Sequence, residues 1–385
     1  MKQRLLMVGR SRYSLPLSPS LARKFDALSA ELEVRVLGSS GGGSGGDPRF
    51  RLVPRVRPRV LDGASFYALL PFRVARDLRD FRPDAALVQG AQETALVLLG
   101  RRLARVPAKV IADVHGDPAS PARLYGSPLR RVLAPLADLL ARIGLRRADG
   151  IRTISAYTSG VVRAAGAEPT ATFAAFMDLE PFLETPPAPL PERPVALFVG
   201  VLERYKAVDV LADAWRIAAP QVPGATLHIV GRGTLREVPR RLAAELPERM
   251  RWTERLETAD VARALDEATV LVLPSRSEGL GRVVVEASCR GRGVVASRVG
   301  GIPDLVEDGE SGILVPPGDT RALADALVRA LTDRELAERL GAAARVAVEP
   351  WLATPEEYAH ELRDLVEAVV ADGGVRPIRG QTPRV

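Results

Sequence analysis

The sequence predicts an α/β protein of two domains, each a parallel sheet with helices on both faces. Three observations predict it: short apolar runs without alternation, helical patterns between them, and a proline-rich break near the middle of the chain. The 385 residues suffice for two or three domains at about 100–200 residues each. In the first half the runs are LLMV (5–8), VRVL (34–37), AALVQ (85–89), KVIADV (109–114) and GIRTIS (150–155). A strand covered on both faces has no solvent side, so it reads as continuously apolar instead of alternating with period two. Helical stretches at 64–80, 92–104 and 127–147 separate these runs. The second half repeats the scheme with VALFVG (195–200), ATLHIVG (225–231), TVLVLPS (269–275) and VVASRV (294–299). Strands alternating with helices form parallel sheets, so two Rossmann-like domains are expected.

The stretch TPPAPLPERP (185–194) holds five prolines and no periodic pattern, and reads as a linker or boundary loop. The expected organisation is an N-terminal domain over 1–184, the linker 185–194 and a C-terminal domain over 195–350. A helix over 351–372 is expected to pack back toward the N-terminal domain, and 373–385 form a tail. The segment GSSGGGSGGD (38–47) reads as a flexible loop after a strand.

Apolar residues make up 46% of the chain, enough for a core in each domain. The single cysteine, Cys289, excludes an internal disulfide and a cysteine-rich metal site. The N-terminal apolar run LLMV is too short for a signal peptide, and no stretch of ~18 residues is free of charge. A cytoplasmic location is expected. Residues 1–180 carry 28 Lys+Arg against 16 Asp+Glu, a net of +12; the remainder carries 26 against 31, a net of −5. A basic half suits a polyanionic partner. With 5% aromatics and no stacking motif, nucleic acid is not expected. An anionic membrane surface is the other candidate. In SPLRRVLAPLADLLARIGLRR (127–147), leucines at helical spacing stand beside Arg130, Arg131, Arg142, Arg146 and Arg147. Such a segment suits peripheral contact with the inner face of a membrane.

The strongest chemical signal is PSRSEGLGRVVVEASCRG (274–291). A strand ends at Ser275, a turn carries Gly279 and Gly281, and a helix begins. Glycines let backbone approach a ligand, and a helix N-terminus offers unpaired N–H groups to an anion. Glu278 in the loop can accept hydrogen bonds from sugar hydroxyls, and Glu286, about two turns into the helix, can accept those of a ribose.

This segment resembles the donor-site motif of the family-four glycosyltransferases, two glutamates separated by seven residues. FVGVLERYKAVDVLADAW (198–215) resembles that family's strand–loop–helix around the donor diphosphate, LHIVGRG (227–233) its next strand and glycine turn, and VGGIPDLVEDGESGILVPPGD (299–319) its closing glycine pair and hairpin. The match is good over 195–347 and looser in the first half, through VHGD (114–117) and ADGIRTISAYTSGVV (148–162). The resemblance implies a GT-B fold, two Rossmann-like domains facing a central cleft. It implies transfer of a sugar, with retention of configuration, from a nucleotide-diphosphate sugar to an unidentified acceptor hydroxyl.

What the resemblance implies for residues is specific. Lys206 contacts the diphosphate. Glu286 binds the ribose. Glu278 touches the transferred sugar. The backbone of Gly279, Leu280 and Gly281 meets sugar and phosphate oxygens. Gly200 and Gly231 shape the donor turns, and Arg255 falls where the nucleobase lies. His115, which follows the buried strand KVIADV, faces the transferred sugar, with Asp117 available to orient it or to touch the acceptor. The chain departs from the family at Val201, where an arginine is usual, and at Ala207, where a glycine is usual. Arg204 is the expected substitute cation. The turn VGRSRYSLPLSPS (8–20) lacks the family's glycine-rich loop. No acidic motif or His/Cys cluster suggests a metal, and no cofactor is expected beyond the donor substrate. The competing readings are a catalytically weak or inactive nucleotide-sugar-binding partner on the same fold, an epimerase or phosphorylase, and a nicotinamide dehydrogenase. The last would need a glycine-rich fingerprint after the first strand.

Overall fold

The computed structural model describes residues 2–56, 59–118 and 128–371, the side chains of 59–61 and 128–131 excepted. Its described residues divide into two compact units: those of 2–118, 131–176 and 353–371 form one, and 128–130 and 177–352 the other. The boundary therefore falls at 176/177, not at 184, and the chain returns to the first unit at 353.

The first unit contains strands β1 (Arg4–Ser14), β2 (Glu33–Gly42), β3 (Phe50–Val53), β4 (Ala85–Gln89), β5 (Lys109–Val114), β6 (Gly150–Thr153) and β7 (Ala171–Thr172). They form one sheet in the order β3-β2-β1-β4-β5-β6-β7, every pair parallel. Between them run α1 (Pro19–Glu31), α2 (Arg59–Phe81), α3 (Ala91–Ala104), α4 (Pro128–Arg147) and α5 (Ala156–Ala164). One face of the sheet packs Phe25 and Leu28 of α1 with Leu362, Leu365 and Val366 of the C-terminal helix Pro355–Ala371. The other packs Leu70, Val74 and Leu78 of α2 with Val97 of α3, and Ala141 and Leu145 of α4.

The second unit contains β8 (Val195–Val199), β9 (Thr226–Val230), β10 (Met250–Thr253), β11 (Val270–Leu273), β12 (Gly293–Ser297) and β13 (Gly312–Val315). Their order is β10-β9-β8-β11-β12-β13, again all parallel. Its helices are α6 (Glu180–Leu183), α7 (Val208–Ala218), α8 (Glu237–Glu245), α9 (Thr258–Asp266), α10 (Arg282–Cys289), α11 (Thr320–Thr332) and α12 (Arg334–Ala347). The C-terminal helix becomes α13. Trp215 of α7 is fully buried, and its indole N–H donates to the Arg249 carbonyl at 3.1 Å, which satisfies the polar end of a large apolar side chain.

Two expectations need correction. The glycine-rich segment 38–47 is not wholly a loop, because β2 runs on to Gly42 and pairs Ser39, Ser40 and Gly42 with Arg12, Tyr13 and Ser14. A side chain on Gly41 would lie 2.6 Å from Ser14 Oγ, so the small residues there serve close packing of β1 on β2. The proline-rich stretch 185–194 is folded onto the second unit. Prolines lack N–H groups but keep their carbonyls, and three arginines donate to carbonyls of this stretch. Arg290 reaches Thr185 and Pro186 at 2.6 and 3.0 Å, Arg292 reaches Ala188 at 2.8 Å, and Arg334 reaches Leu190 and Pro191 at 3.0 Å each. Asp266 holds the Arg290 guanidinium in place through two contacts at 2.7 and 2.9 Å.

His228 is buried inside β9, with one ring nitrogen 3.0 Å from Thr253 Oγ1 and the other, Nδ1, 2.9 Å from the Arg251 guanidinium. A guanidinium only donates, so Nδ1 accepts and the ring is neutral. Burial, helped by the Arg251 charge, pushes its pKa down to about 4 from 6.5. Between those two values the unfolded chain binds a proton that the folded one does not, so stability rises with pH. Chemical denaturation at pH 4.5 and 7 should show the native protein losing stability at the acid end. His228→Gln should lose markedly less, and an equal loss in both proteins would show that His228 stays accessible to protons.

Candidate donor and sugar site

The strand order of the second unit sets β8 beside β11, while the connections from these strands run to opposite sides. Ligands of open α/β sheets bind at such a switch point, outside the carboxyl ends of the strands. After β8 the chain forms a short 3₁₀ turn over Arg204–Lys206 and enters α7; after β11 the loop 274–281 leads into α10. Ala207 and Gly281, the residues before the two helices, both lie in the left-handed region and neither caps its helix with a side chain. Two helix N-termini therefore flank the switch point. At α7 the Asp209 carboxylate already accepts from the first-turn N–H groups of Asp209 and Val210, whereas the first turn of α10 carries no acidic side chain and its positive dipole end is available to an anion.

The structure brings Lys206 and Glu278 together in a direct ion pair. The same Glu278 oxygen accepts from the buried Ser275 hydroxyl at 2.7 Å. Arg276, which the sequence reading passed over, ties the two loops to each other. Its backbone N–H donates to the Tyr205 carbonyl at 2.7 Å, its guanidinium to the Arg204 carbonyl at 2.7 Å, and both Nη atoms to Asp209 at 2.9 and 2.8 Å. This two-pronged pairing is the strongest geometry an arginine has, and it fixes Lys206 relative to Glu278. Partial burial raises the pKa of Asp209, but the hydrogen bonds and charge of Arg276 outweigh it and hold the carboxyl below its usual range.

Glu286 lies buried one turn into α10, and Arg282 Nε donates to it at 2.7 Å. Burial raises the Glu286 pKa, and the Arg282 charge opposes that rise, so the arginine helps keep the carboxylate ionised. Leu280 is buried, and the Gly301 N–H donates to the Gly279 carbonyl at 3.1 Å. A side chain on Gly300 would stand 1.9 Å from the Glu278 carbonyl, so only glycine lets this segment lie against the Glu278 loop. Gly200 and Gly231 meet in the same way, a side chain on Gly231 falling 1.8 Å from the Gly200 carbonyl. Arg204 is exposed, and Arg255 pairs with Glu257 at 2.9 Å. Among the described residues, no hydrogen bond or ion pair joins either guanidinium to Lys206, Glu278 or Glu286. Val201 is 45% exposed, so its side chain is no part of the core.

In the first unit His115 stands exposed just past β5, at the carboxyl end of the strand. The carboxylate on its ring is Asp113, at 2.8 Å from Nε2, and not Asp117. Asp113 and Arg152 are register partners on β5 and β6, both buried, joined at 2.6 Å. The signal for this pair was in the sequence: one carboxylate inside KVIADV and one arginine inside GIRTIS, each within an otherwise uncharged strand core. Lys24 of α1 lies above them, its ammonium 5.1 Å from the Tyr358 ring centre, and burial together with the Arg152 charge lowers its pKa to about 8.

The group 1 glycosyl transferase profile matches residues 193–333, and the glycosyl transferase 4-like domain profile residues 18–173. The sulfoquinovosyl transferase of Arabidopsis thaliana is 34% identical over 176 residues, 44% of this chain and 33% of that protein. The GDP-mannose-dependent alpha-(1-6)-phosphatidylinositol monomannoside mannosyltransferase of Mycolicibacterium smegmatis is 31% identical over 274 residues, 65% of this chain and 68% of that protein. The chain spans from a third to under half the length of the first curated relatives it matches. Among solved structures, the sucrose-phosphate synthase of Thermosynechococcus elongatus superposes with a TM-score of 0.76 at 21% identity, over 96% of this chain and all of that one, which places both on the same two-domain fold. With both halves matched in order and the M. smegmatis enzyme aligned over two thirds of its length, the chain belongs to the family-four glycosyltransferases of the GT-B fold.

Proposed function

We propose that the protein is a retaining, metal-independent hexosyltransferase that takes its sugar from a nucleotide-diphosphate donor. The observation that carries this reading is the Lys206–Glu278 pair at the switch point beside the N-terminus of α10, with Glu286 buried in that helix. A diphosphate there meets an ammonium and a positive dipole end, which supply charge that a metal would otherwise bring. In the reaction the bond from the anomeric carbon to the donor phosphate breaks, and a bond from that carbon to the acceptor oxygen forms on the same face. The proton of the acceptor hydroxyl passes to the departing phosphate. Lys206 stabilises the leaving diphosphate, Glu286 takes the ribose hydroxyls, and Glu278 and His115 hold the transferred sugar. The dependence on GDP-mannose stated for the M. smegmatis relative supports a nucleotide-sugar donor. Val201 in place of an arginine favours a second reading, a nucleotide-sugar-binding partner with little or no activity. Donor hydrolysis by the purified protein separates the two.

A thermal-shift screen with UDP-glucose, UDP-galactose, UDP-N-acetylglucosamine and GDP-mannose identifies the donor; ligand at about 100 times its Kd stabilises by roughly 2.7 kcal/mol. With that donor, Glu286→Ala should mainly raise KM, because the ribose contact exists in ground and transition states alike. Glu278→Gln should mainly lower kcat. Lys206→Ala should lower turnover by roughly 10²–10³, the usual loss of one preorganised group facing a developing anion. Val201→Arg should fold normally, because that side chain is exposed, and should bind donor at least as well. Small, equal effects on both constants in the glutamate variants would remove these assignments.

We also propose that the acceptor is presented at an anionic membrane surface. Helix α4 buries Ala141 and Leu145 but exposes Val132, Leu133, Leu136, Leu139 and Ile143, Val132 to 76%. Arg142 and Arg147 are exposed on the same helix, and Arg146 donates to the Ala165 carbonyl at 2.9 Å; the side chains of Arg130 and Arg131 lie outside the described residues. An apolar strip with adjacent arginines suits the interface of an anionic bilayer. The phosphatidylinositol monomannoside in the name of the M. smegmatis relative supports it. No helix among the described residues is long and apolar enough to cross a membrane, so the contact proposed is peripheral. Co-sedimentation should show binding to phosphatidylglycerol vesicles at low salt, little to phosphatidylcholine, and release at high salt. Replacing Arg142 and Arg147 by alanine should weaken binding by roughly 30-fold, at about 1 kcal/mol per arginine. Absence of binding at low salt would make a water-soluble acceptor the better reading.

A further inference from the structure

We propose that Asp113, held by Arg152, is a positioning residue that fixes His115 as its Nε2–H tautomer and leaves Nδ1 as the ring nitrogen offered to the sugar. This rests on the reading that His115 faces the transferred sugar.

The two oxygens of Asp113 have separate partners: Oδ1 meets Arg152 Nη1 at 2.6 Å and Oδ2 meets His115 Nε2 at 2.8 Å. An ionised carboxylate only accepts, so the shared hydrogen is on Nε2. The surroundings keep Asp113 ionised. Burial alone would raise its pKa, but the charges of Arg152 and His115 and the hydrogen bonds of both outweigh it and hold the carboxyl well below the usual carboxylate range. Lys24, also a cation, lies close to it, Glu361 of α13 acts on Arg152, and Tyr358 packs on the same cluster. Arg152 is itself immobile. It is fully buried, its Nη2 donates to the Phe173 and Ala174 carbonyls at 3.1 and 2.8 Å, and its guanidinium lies over the Phe173 ring at 4.1 Å. Its Nε is buried without a hydrogen-bond partner, a cost the fold accepts for this placement.

Stability does not explain the pair. Apolar residues of similar volume inside two parallel strands would be as stable or more so, because two charges must be stripped of water. What the pair does provide is a fixed carboxylate under an exposed imidazole. His115 is 40% exposed, and among the described residues its Nδ1 has no hydrogen-bond partner. With Nε2 committed downward, a neutral ring presents an acceptor to a sugar hydroxyl, and its direction is set by a strand rather than by a loop.

The test uses the full-length protein with ¹⁵N-labelled histidine. Its three histidines give three ring systems, assigned with His228→Gln and His360→Gln. At a pH where His115 is neutral, two-bond ¹⁵N–¹H correlations should show the proton on Nε2, and Asp113→Asn should abolish that preference. With the donor found by thermal shift, Asp113→Asn and His115→Ala should both lower donor turnover, the former by roughly 10–100-fold, the range for loss of a partner that orients a metal-bound histidine. Asp113→Asn should leave the donor KM nearly unchanged. A proton on Nδ1 in the native protein overturns the proposal outright, whether or not any variant folds. Turnover lost in His115→Ala but kept in folded Asp113→Asn overturns the positioning role alone. Turnover kept in His115→Ala overturns both this proposal and the role of His115 in sugar binding, and leaves the Lys206–Glu278 donor site standing.

Discussion

The adjacency of β8 and β11 is the constraint on which the donor site depends. Their parallel register pairs Val270 with Ala196 and Leu271 with Leu197, so both strands end at one level and both following loops emerge side by side. A lysine and a glutamate 72 positions apart thereby become neighbours. Everything else at the site serves that meeting. Arg276 and Asp209 lock the loops, and glycines at 231 and 300 let the flanking turns come within backbone contact of Gly200 and Glu278. The anion site proposed there is the N-terminus of α10, whose first turn holds no acidic side chain. In this structure the lysine and glutamate neutralise each other. Under the proposed reading, a diphosphate entering there takes Lys206 from Glu278 and frees the glutamate to accept from sugar hydroxyls, which would link donor binding and sugar recognition through one ion pair.

Arginine does much of the structural work that the composition alone would assign to charge. Arg290, Arg292 and Arg334 collect carbonyls of the proline-rich segment, and Arg249 collects those of Ala219, Val222 and Ala225 at 2.6, 2.5 and 2.7 Å. A guanidinium has five donors and no acceptor, so it suits places where irregular chain leaves several carbonyls without partners. The basic balance of the first half is therefore not all a surface field. Arg152 is fully buried, and Arg49 and Arg51 are engaged by Asp26, Asp47, Asp77 and Asp80. The exposed arginines of α4 are a small remainder, and the membrane proposal draws on these rather than on the net charge.

The interior strands were legible because burial on both faces leaves a one-sided signature. AALVQ and KVIADV coincide with β4 and β5 to the residue. The edge strands β3 and β10 were not, because FRLV and MRWT carry arginine on a half-exposed face and offer too few residues for a period to show. The glycine-rich segment misled for a related reason: composition reports conformational freedom, whereas packing against Tyr13 and Ser14 depends on a partner distant in sequence. At the site, residues of the recurrent motif were named from the sequence, and most residues that hold them in place were not. Arg276 and Asp113 act through partners 67 and 39 positions away that no local spacing encodes, whereas Ser275 and Arg282 reach Glu278 and Glu286 at three and four positions. A charged residue inside an apolar strand was the usable trace of the distant pair, present at Asp113 and Arg152.

The two departures from the family pattern differ in kind once their environments are known. Ala207 occupies the left-handed region, with φ of 52°, where glycine carries no penalty. An alanine there costs about 1–2 kcal/mol. Its methyl is fully buried, however, and one buried carbon returns about 0.8 kcal/mol. The stiffer unfolded chain returns a further ~0.4–1 kcal/mol. These terms nearly cancel, so the backbone turn that sets Lys206 against α7 is kept with either residue, and the substitution says little about function. Val201 has no such compensation. It is exposed, it packs against nothing that requires valine, and it removes a positive charge from the first loop beyond β8. The consequence falls on Lys206, which becomes the only side-chain cation among the described residues paired to Glu278, while the N-terminus of α10 adds positive potential through backbone. A site built this way is more dependent on one lysine and on helix geometry than a site with two cations. Under the proposed reading, donor affinity would depend on how firmly Arg276 and Asp209 hold the loop on which that lysine stands.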